Sequence, residues 1–109
     1  MSRTIGIAVA ALGACVLAGP TRAEAPGRSP AWETYCIVCH GPDGKSSTEE
    51  GKQRNARDLT DARWLASVSD GRLAGSIRRG RDKMPAFGRK LSDEQIKALV
   101  AEIRALTPR

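Results

Sequence analysis

Five consecutive positions, Cys36-Ile37-Val38-Cys39-His40, constrain this chain more than any other feature. Two cysteines separated by two residues can form a disulfide, half of a metal site or an attachment point for a cofactor. A zinc site would need two more Cys or His ligands, and His40 is the only histidine of the chain. A thioredoxin-like pair would need a βαβ context, and a plain disulfide leaves His40 unexplained. The pattern therefore predicts covalent haem attachment.

The spacing of the two cysteines suits this chemistry. Residues three apart on a helix lie about one turn along and on nearly the same face. Cys36 and Cys39 can therefore each add a thiol to one of two vinyl groups, which gives two thioether bonds to one haem c. His40 follows directly and places an imidazole nitrogen beneath the iron as the proximal ligand.

Met84 is the best candidate for the second axial ligand. With one histidine in the chain, bis-histidine ligation within the chain is excluded. Pro85 biases Met84 towards an extended backbone, and Gly80 and Gly88 bracket a loop that could wrap a flat ring. His/Met ligation raises the reduction potential and favours electron transfer.

Two weaker candidates for the sixth ligand are Lys83 and Tyr35. Met84 could also merely fill a gap in the core, as methionine often does. An open or labile sixth position would instead favour catalysis or gas sensing at the iron.

Residues 1–23 have the pattern of a cleaved secretory signal peptide, with a positive charge at Arg3 and small residues at Thr21 and Ala23. Their uncharged run, residues 5–19, is shorter than the roughly 20 residues that a transmembrane helix needs. We therefore expect a periplasmic domain over residues 24–109 without a transmembrane span. An uncleaved anchor is one alternative. A lipoprotein is another, since Leu12-Gly13-Ala14-Cys15 resembles a lipidation box and Cys15 would carry a lipid anchor.

Composition excludes larger architectures. A chain of 109 residues allows one domain, which rules out a multidomain enzyme or a polytopic membrane protein. Aromatic residues make up only 4%, so large side chains contribute little to the core. So small a core gives only marginal stability without a metal, a disulfide or a large cofactor, and a buried haem would supply the missing apolar area.

Helix signals predict an all-α fold of three to four short helices. Ser29-Pro30 begins the first, and a second lies over residues 61–67. Ser69-Asp70 can cap a third that runs through Arg79. The last starts at Ser92 with a capping box to Gln95. Its apolar stripe is Ile96, Leu99, Val100, Ile103 and Leu106. The polar residues 45–58 are predicted to be a surface loop.

These segments together resemble the class I c-type cytochromes, in particular small bacterial periplasmic monohaem members. The resemblance rests on YCIVCHGPDG (35–44), DLTD (58–61), MPAFG (84–88) and LSDEQI (91–96). It implies a cytochrome c-like fold wrapped around one covalently attached haem, with Trp64 and Phe87 shielding the ring. Family members often have a proline whose carbonyl accepts a hydrogen bond from the proximal imidazole. The matching residues 55–58 lack it, so we expect the carbonyl of Asn55 or Ala56 in this role.

The most direct functional reading is a one-electron carrier between periplasmic or membrane redox partners, without substrate turnover and hence not an enzyme. The alternative is a dedicated electron-accepting subunit of a larger dehydrogenase or oxidase. The net charge is +6, and basic residues cluster around the Met84 loop: Arg72, Arg78, Arg79, Arg81, Lys83, Arg89 and Lys90. A basic rim there would steer a partner with an acidic docking surface. No motif supports nucleic-acid binding.

Overall fold

Five α-helices and one π-helical turn make up the computed structural model, which describes residues 27–107. The π-helical turn, Trp32–Cys36, leads directly into α1, Ile37–His40. The remaining helices are α2 (Glu49–Gln53), α3 (Ala62–Ser67), α4 (Asp70–Arg79) and α5 (Asp93–Ala105). Residues 27–107 form no strand, and only an isolated bridge joins Arg81 to Met84. The expected all-α class is confirmed.

Two expectations lie outside the described residues: the signal peptide over 1–23 and the lipidation of Cys15. Among residues 27–107, no helix combines the length and the apolar character that crossing a bilayer requires.

The predicted helix starts are confirmed by side-chain caps. Ser29, Ser69 and Ser92 each accept a hydrogen bond from the backbone N–H three residues further on, at 3.0–3.2 Å. At α5 the capping box is complete, because the Gln95 side chain also accepts from the N–H of Ser92 at 2.8 Å. The second predicted helix begins one residue later than expected, with Asp61 as its cap.

The prediction of a surface loop over residues 45–58 is wrong, because Glu49–Gln53 forms α2 and raises the helix count to five. Thr48 explains why this polar segment is helical. Its hydroxyl accepts from the N–H of Gly51 at 2.9 Å and donates to the Val38 carbonyl at 2.7 Å. The helix is therefore nucleated by a cap that also binds it to α1, and apolar periodicity has no part in it.

The core lies between α4 and α5. Leu73 and Ile77 of α4 are buried, as are four of the five residues of the predicted α5 stripe. The fifth, Leu106, is partly buried and packs against the same cluster. Trp32 is fully buried at 0% exposure and brings the first helical segment into this core.

Polar side chains of α5 tie distant segments to the core. Glu102 accepts from the Ser29 N–H at 3.0 Å and from its hydroxyl at 2.7 Å, which fixes the start of the first helical segment. Arg104 donates to two carbonyls at the end of α3, at 2.6 and 2.7 Å, and to Asp70 at 2.8 Å. These contacts hold the helices around a central cavity.

Candidate haem-binding site

A cavity of about 650 Å³ opens between α1, α4 and the loop that follows α4. All four predicted site residues line it: Cys36, Cys39, His40 and Met84. Its volume lies within the roughly 300–1,000 Å³ typical of small-molecule and cofactor sites. The structure therefore brings together residues that are up to 48 positions apart in the chain.

The two cysteines lie one turn apart on the first helical segment and are both half-buried free thiols. Burial raises the pKa of Cys36 to about 11, and the charges of Glu102 and Cys39 add to this. Burial therefore favours the neutral thiol of Cys36. Among the described residues, no group of three or more His, Cys, Asp or Glu could hold a metal ion.

His40 is buried, with 9% of its surface exposed, and its ring is held from one side. Nδ1 lies 3.1 Å from the Arg57 carbonyl oxygen and 3.0 Å from the Ser46 hydroxyl. A carbonyl only accepts, so Nδ1 carries the proton and Nε2 is free to bind a metal.

Burial lowers the pKa of His40, and the bond to the Arg57 carbonyl offsets this in part. The imidazole is therefore neutral at pH 7, the form in which histidine binds a metal.

The expectation that Asn55 or Ala56 supplies the carbonyl is wrong, because the end of α2 turns the chain. The N–H of Asn55 donates to the Lys52 carbonyl at 3.2 Å, and the N–H of Ala56 donates to the Gly51 carbonyl at 2.8 Å. Asn55 has φ +56°. This is a Schellman ending with asparagine in the left-handed position. The turn leaves the next carbonyl, that of Arg57, facing His40.

The side chain of Arg57 holds this carbonyl in place from outside. Its guanidinium lies 4.6 Å from the ring centroid of Trp64, a cation–π contact. Trp64 is half-buried and lines the cavity, in agreement with packing at the edge of a planar ligand.

A second anchor lies just after His40. The indole N–H of Trp32 donates to the Gly41 carbonyl at 3.0 Å within the core. The chain then turns so that the Ser46 N–H donates to the His40 carbonyl at 3.0 Å. Residues 40–46 therefore close on themselves and hold Ser46 beneath the imidazole.

The loop that carries Met84 is pinned at both ends. The N–H and carbonyl of Arg81 pair with those of Met84 at 3.0 and 2.8 Å. Further along, the N–H groups of Phe87 and Gly88 donate to the carbonyls of Ile77 and Arg78 in α4, at 2.8 and 3.1 Å.

Gly80 and Gly88 are needed for this approach. Gly80 has φ +80°, and a Cβ there would come within 2.7 Å of the Met84 carbonyl oxygen. At Gly88 a Cβ would lie 2.9 Å from the Arg78 carbonyl oxygen. The half-buried thioether of Met84 is thus presented by a short, hydrogen-bonded loop, as the glycine pattern predicts.

Arg54 braces the Met84 loop against α2. Its guanidinium donates to the Lys83 carbonyl at 3.1 Å and pairs with Glu50 at 2.6 Å. Tyr35 and Phe87 also line the cavity, with ring centroids 5.5 Å apart. Sequence reasoning did not identify Arg54, because its partner is a backbone atom 29 residues away.

Comparisons with known proteins show the family to which the chain belongs. Residues 24–101 match the family model described as cytochrome c oxidase, cbb3-type, subunit III. The chain belongs to this family of c-type cytochromes. The all-α, cytochrome c-like fold expected from the sequence is therefore confirmed.

Individual relatives of this cytochrome fall into two groups. The cbb3-type oxidase subunit FixP of Azorhizobium caulinodans is 36% identical over 90 residues, which cover 75% of this chain and 29% of that protein. Cytochrome c6 of Bryopsis maxima is 33% identical and is matched over 62% of this chain and 75% of its own. The chain spans less than a third of the oxidase subunits it matches.

A solved structure covers the same region. The c-type cytochrome KustC0563 superimposes with a TM-score of 0.67 at 37% identity, over 72% of this chain and 94% of its own.

The cavity of this cytochrome is rimmed by unbalanced charge. Among residues 27–107, five cationic side chains line it, against three acidic ones. The cations are Arg54, Arg57, Arg72, Arg81 and Lys83, and the acids are Glu50, Asp58 and Asp82. Three of the cations belong to the basic cluster seen in the sequence, and the residues that follow α2 add the other two.

Proposed function

We propose that this chain is the electron-transferring cytochrome c component of a cbb3-type oxidase complex, in which it receives and passes on single electrons. One haem c is attached covalently through Cys36 and Cys39, with His40 and Met84 as axial ligands. The observation that carries the proposal is the convergence of these four side chains on one cavity.

The residues present fit such a group. The two thiols lie one turn apart on the wall of the cavity that also carries a neutral imidazole. Bound haem supplies one-electron chemistry by alternation of its iron between the ferric and ferrous states. His40 and Met84 would hold the iron of such a haem from its two sides, which would leave no position for oxygen. Trp64 and Phe87 shield the ring from water.

Support for an oxidase subunit, as opposed to a freely diffusing carrier, comes from the family match and the FixP and CcoP relatives. Sequence reasoning placed the free carrier first because nothing in a single chain distinguishes a permanent partner from a transient one. We therefore infer an oxidase subunit in preference to a free carrier.

The protein works outside the cytoplasm, in the periplasm, where cytochrome c domains are usually found. Its partners are redox proteins. The excess of positive charge at the cavity mouth favours a partner with an acidic docking surface, so electron exchange should slow steeply as ionic strength rises.

The test of the site is an optical spectrum of the full chain after periplasmic co-expression with a haem-ligation system. We expect sharp low-spin bands on reduction, a weak far-red sulfur-to-iron band on oxidation and no shift under carbon monoxide. Met84→Ala should lose the far-red band and bind carbon monoxide. The matched control is Lys83→Ala, which removes a neighbouring side chain and should keep the band.

Other results would contradict the proposal. If the parent binds carbon monoxide, Met84 is not a stable ligand, and the result favours gas sensing or catalysis at the iron. If the parent is low-spin without the far-red band, and Lys83→Ala binds carbon monoxide whereas Met84→Ala does not, the sixth ligand is Lys83. If haem leaves on denaturation in acid, it is not held by thioethers.

The test of the assembly is the behaviour of the tagged full chain in its own host. A subunit should be found in the membrane fraction. After extraction in mild detergent, it should co-purify with oxygen-reducing activity. Recovery of the chain alone from the periplasmic fraction would support the free carrier and overturn the oxidase subunit.

A further inference from the structure

Ser46 is a buried hydroxyl that no part of the proposed function yet uses. It is 8% exposed and lies 3.0 Å from Nδ1 of His40. The same hydroxyl is within hydrogen-bond distance of the Arg57 carbonyl oxygen, which is the other partner of Nδ1. Three groups therefore form a closed triangle behind the imidazole.

The proton positions in this triangle follow from valence. The Arg57 carbonyl can only accept, so the single proton of the Ser46 hydroxyl goes to that oxygen. The Ser46 oxygen is then left with its lone pairs towards the Nδ1–H of His40. The imidazole N–H is shared between two acceptors, and the bond that the Ser46 hydroxyl donates to the Arg57 carbonyl makes the hydroxyl oxygen a better acceptor.

The backbone of Ser46 shows that this position is held against a local preference. Its φ is +61°, in the left-handed region that serine rarely adopts. The N–H of Ser46 donates to the carbonyl of His40 itself, at 3.0 Å. The turn thus places the hydroxyl under the ring at some conformational cost, as is typical of residues that serve a site.

The Arg57 carbonyl is fixed in place and cannot move to compensate for a missing Ser46 hydroxyl. The Arg57 carbonyl follows the hydrogen-bonded end of α2, and the Arg57 side chain lies on Trp64. Removal of the Ser46 hydroxyl would therefore leave His40 with one acceptor at 3.1 Å.

We propose that Ser46 is a positioning residue that lowers the reduction potential of the bound haem by increasing the electron donation of His40. Acceptors at the outer nitrogen of a ligating histidine orient the ring and raise its basicity. A more basic imidazole stabilises the ferric state over the ferrous one. This inference rests on the proposed function, since it requires iron on His40.

The experiment is a redox titration of the full holoprotein, followed in the visible spectrum, for the parent, Ser46→Ala and Ser46→Gly. Both substitutions remove the hydroxyl, so both should raise the midpoint potential by the same amount. They differ in the backbone, because only glycine is at ease at φ +61°. Unfolding stability should therefore separate the two variants, whereas the potential should not. The control is the exposed neighbour, Ser47→Ala, which should leave the potential unchanged.

The outcomes separate the two hypotheses. An unchanged or lowered potential in both variants, with low-spin bands and the far-red band intact, overturns the role of Ser46 and leaves the proposed function standing. A parent without covalently held haem overturns the proposed function itself.

A measurement on the parent alone covers the case in which the variants do not fold. In the reduced, diamagnetic protein, NMR should show a slowly exchanging Ser46 hydroxyl proton close to the His40 ring N–H. A hydroxyl proton that exchanges freely with solvent would contradict the triangle.

Discussion

Gly51 offers a test in which helix propensity and packing predict opposite results. It lies in the middle of α2 with φ outside the positive range, so alanine could adopt its backbone. Propensity alone predicts that Gly51→Ala stabilises the protein by about 1 kcal/mol. The structure predicts a loss. An added Cβ would overlap the Cys39 carbonyl oxygen and lie 2.9 Å from that of Ser46 and 3.0 Å from the Thr48 hydroxyl.

The expected size follows from these contacts. Overpacking costs about 1–3 kcal/mol, and the upper end applies because backbone atoms cannot rotate away. After the propensity gain of about 1 kcal/mol, the net loss is about 2 kcal/mol. With a urea slope of about 2 kcal/mol/M, the midpoint should fall by about 1 M.

Gly71→Ala is the matched control. Gly71 is also helical, in α4, but the nearest atom to its added Cβ is the Ser69 hydroxyl at 3.8 Å. This variant should gain up to about 1 kcal/mol, so its urea midpoint should rise. Unfolding of both holoproteins by urea, with the slope checked in each, decides the case. The reasoning is refuted if Gly51→Ala is as stable as the parent, or if both variants lose stability equally.

Three further substitutions test individual contacts. Trp32→Phe removes the indole N–H from the buried Gly41 carbonyl and should cost about 1–3 kcal/mol in urea unfolding; a loss below about 0.5 kcal/mol would show that the bond is unimportant. Arg104→Lys leaves one ammonium for three acceptors and should lower the free energy of unfolding by about 1–2 kcal/mol. An unchanged melting temperature would show that the three guanidinium hydrogen bonds do not stabilise the fold. Ser92→Ala breaks the capping box and should cost about 1 kcal/mol, measured as a lower thermal midpoint; no change would mean that packing alone starts α5.

Much of the fold could be predicted because local signals and tertiary packing agree. The caps at Ser29, Ser69 and Ser92 lie directly before apolar residues at helical spacing, so each helix start is marked twice. The Met84 loop could also be predicted, since Gly80 and Gly88 mark the two places where the chain comes close to other backbone atoms.

The support of His40 could not be predicted in the same way. α2 has no apolar stripe, and its stability comes from Thr48, which bonds to a carbonyl in α1. A prediction that lacks α2 does not include the left-handed turn at Asn55. It therefore assigns the wrong backbone carbonyl to His40. Thr48 and Asn55 were the available signals, as a cap and a helix-ending residue, but they are too common to be decisive alone. The hydroxyl of Ser46 had no sequence signal at all.

The hydrogen bonds that hold the two proposed axial ligands, His40 and Met84, also bear on the order in which the protein assembles. The partners of His40 lie 6 and 17 residues downstream, and the loop around Met84 is bound back to residues 77, 78 and 81. Closing such short segments costs little chain entropy, and local contacts form fast. In a chain that emerges from its N-terminus, the local support of His40 by Ser46 and Arg57 can therefore form before Met84 is available. Haem attachment would then meet a half-built site that is open on the methionine side, and the Met84 loop would close over it last.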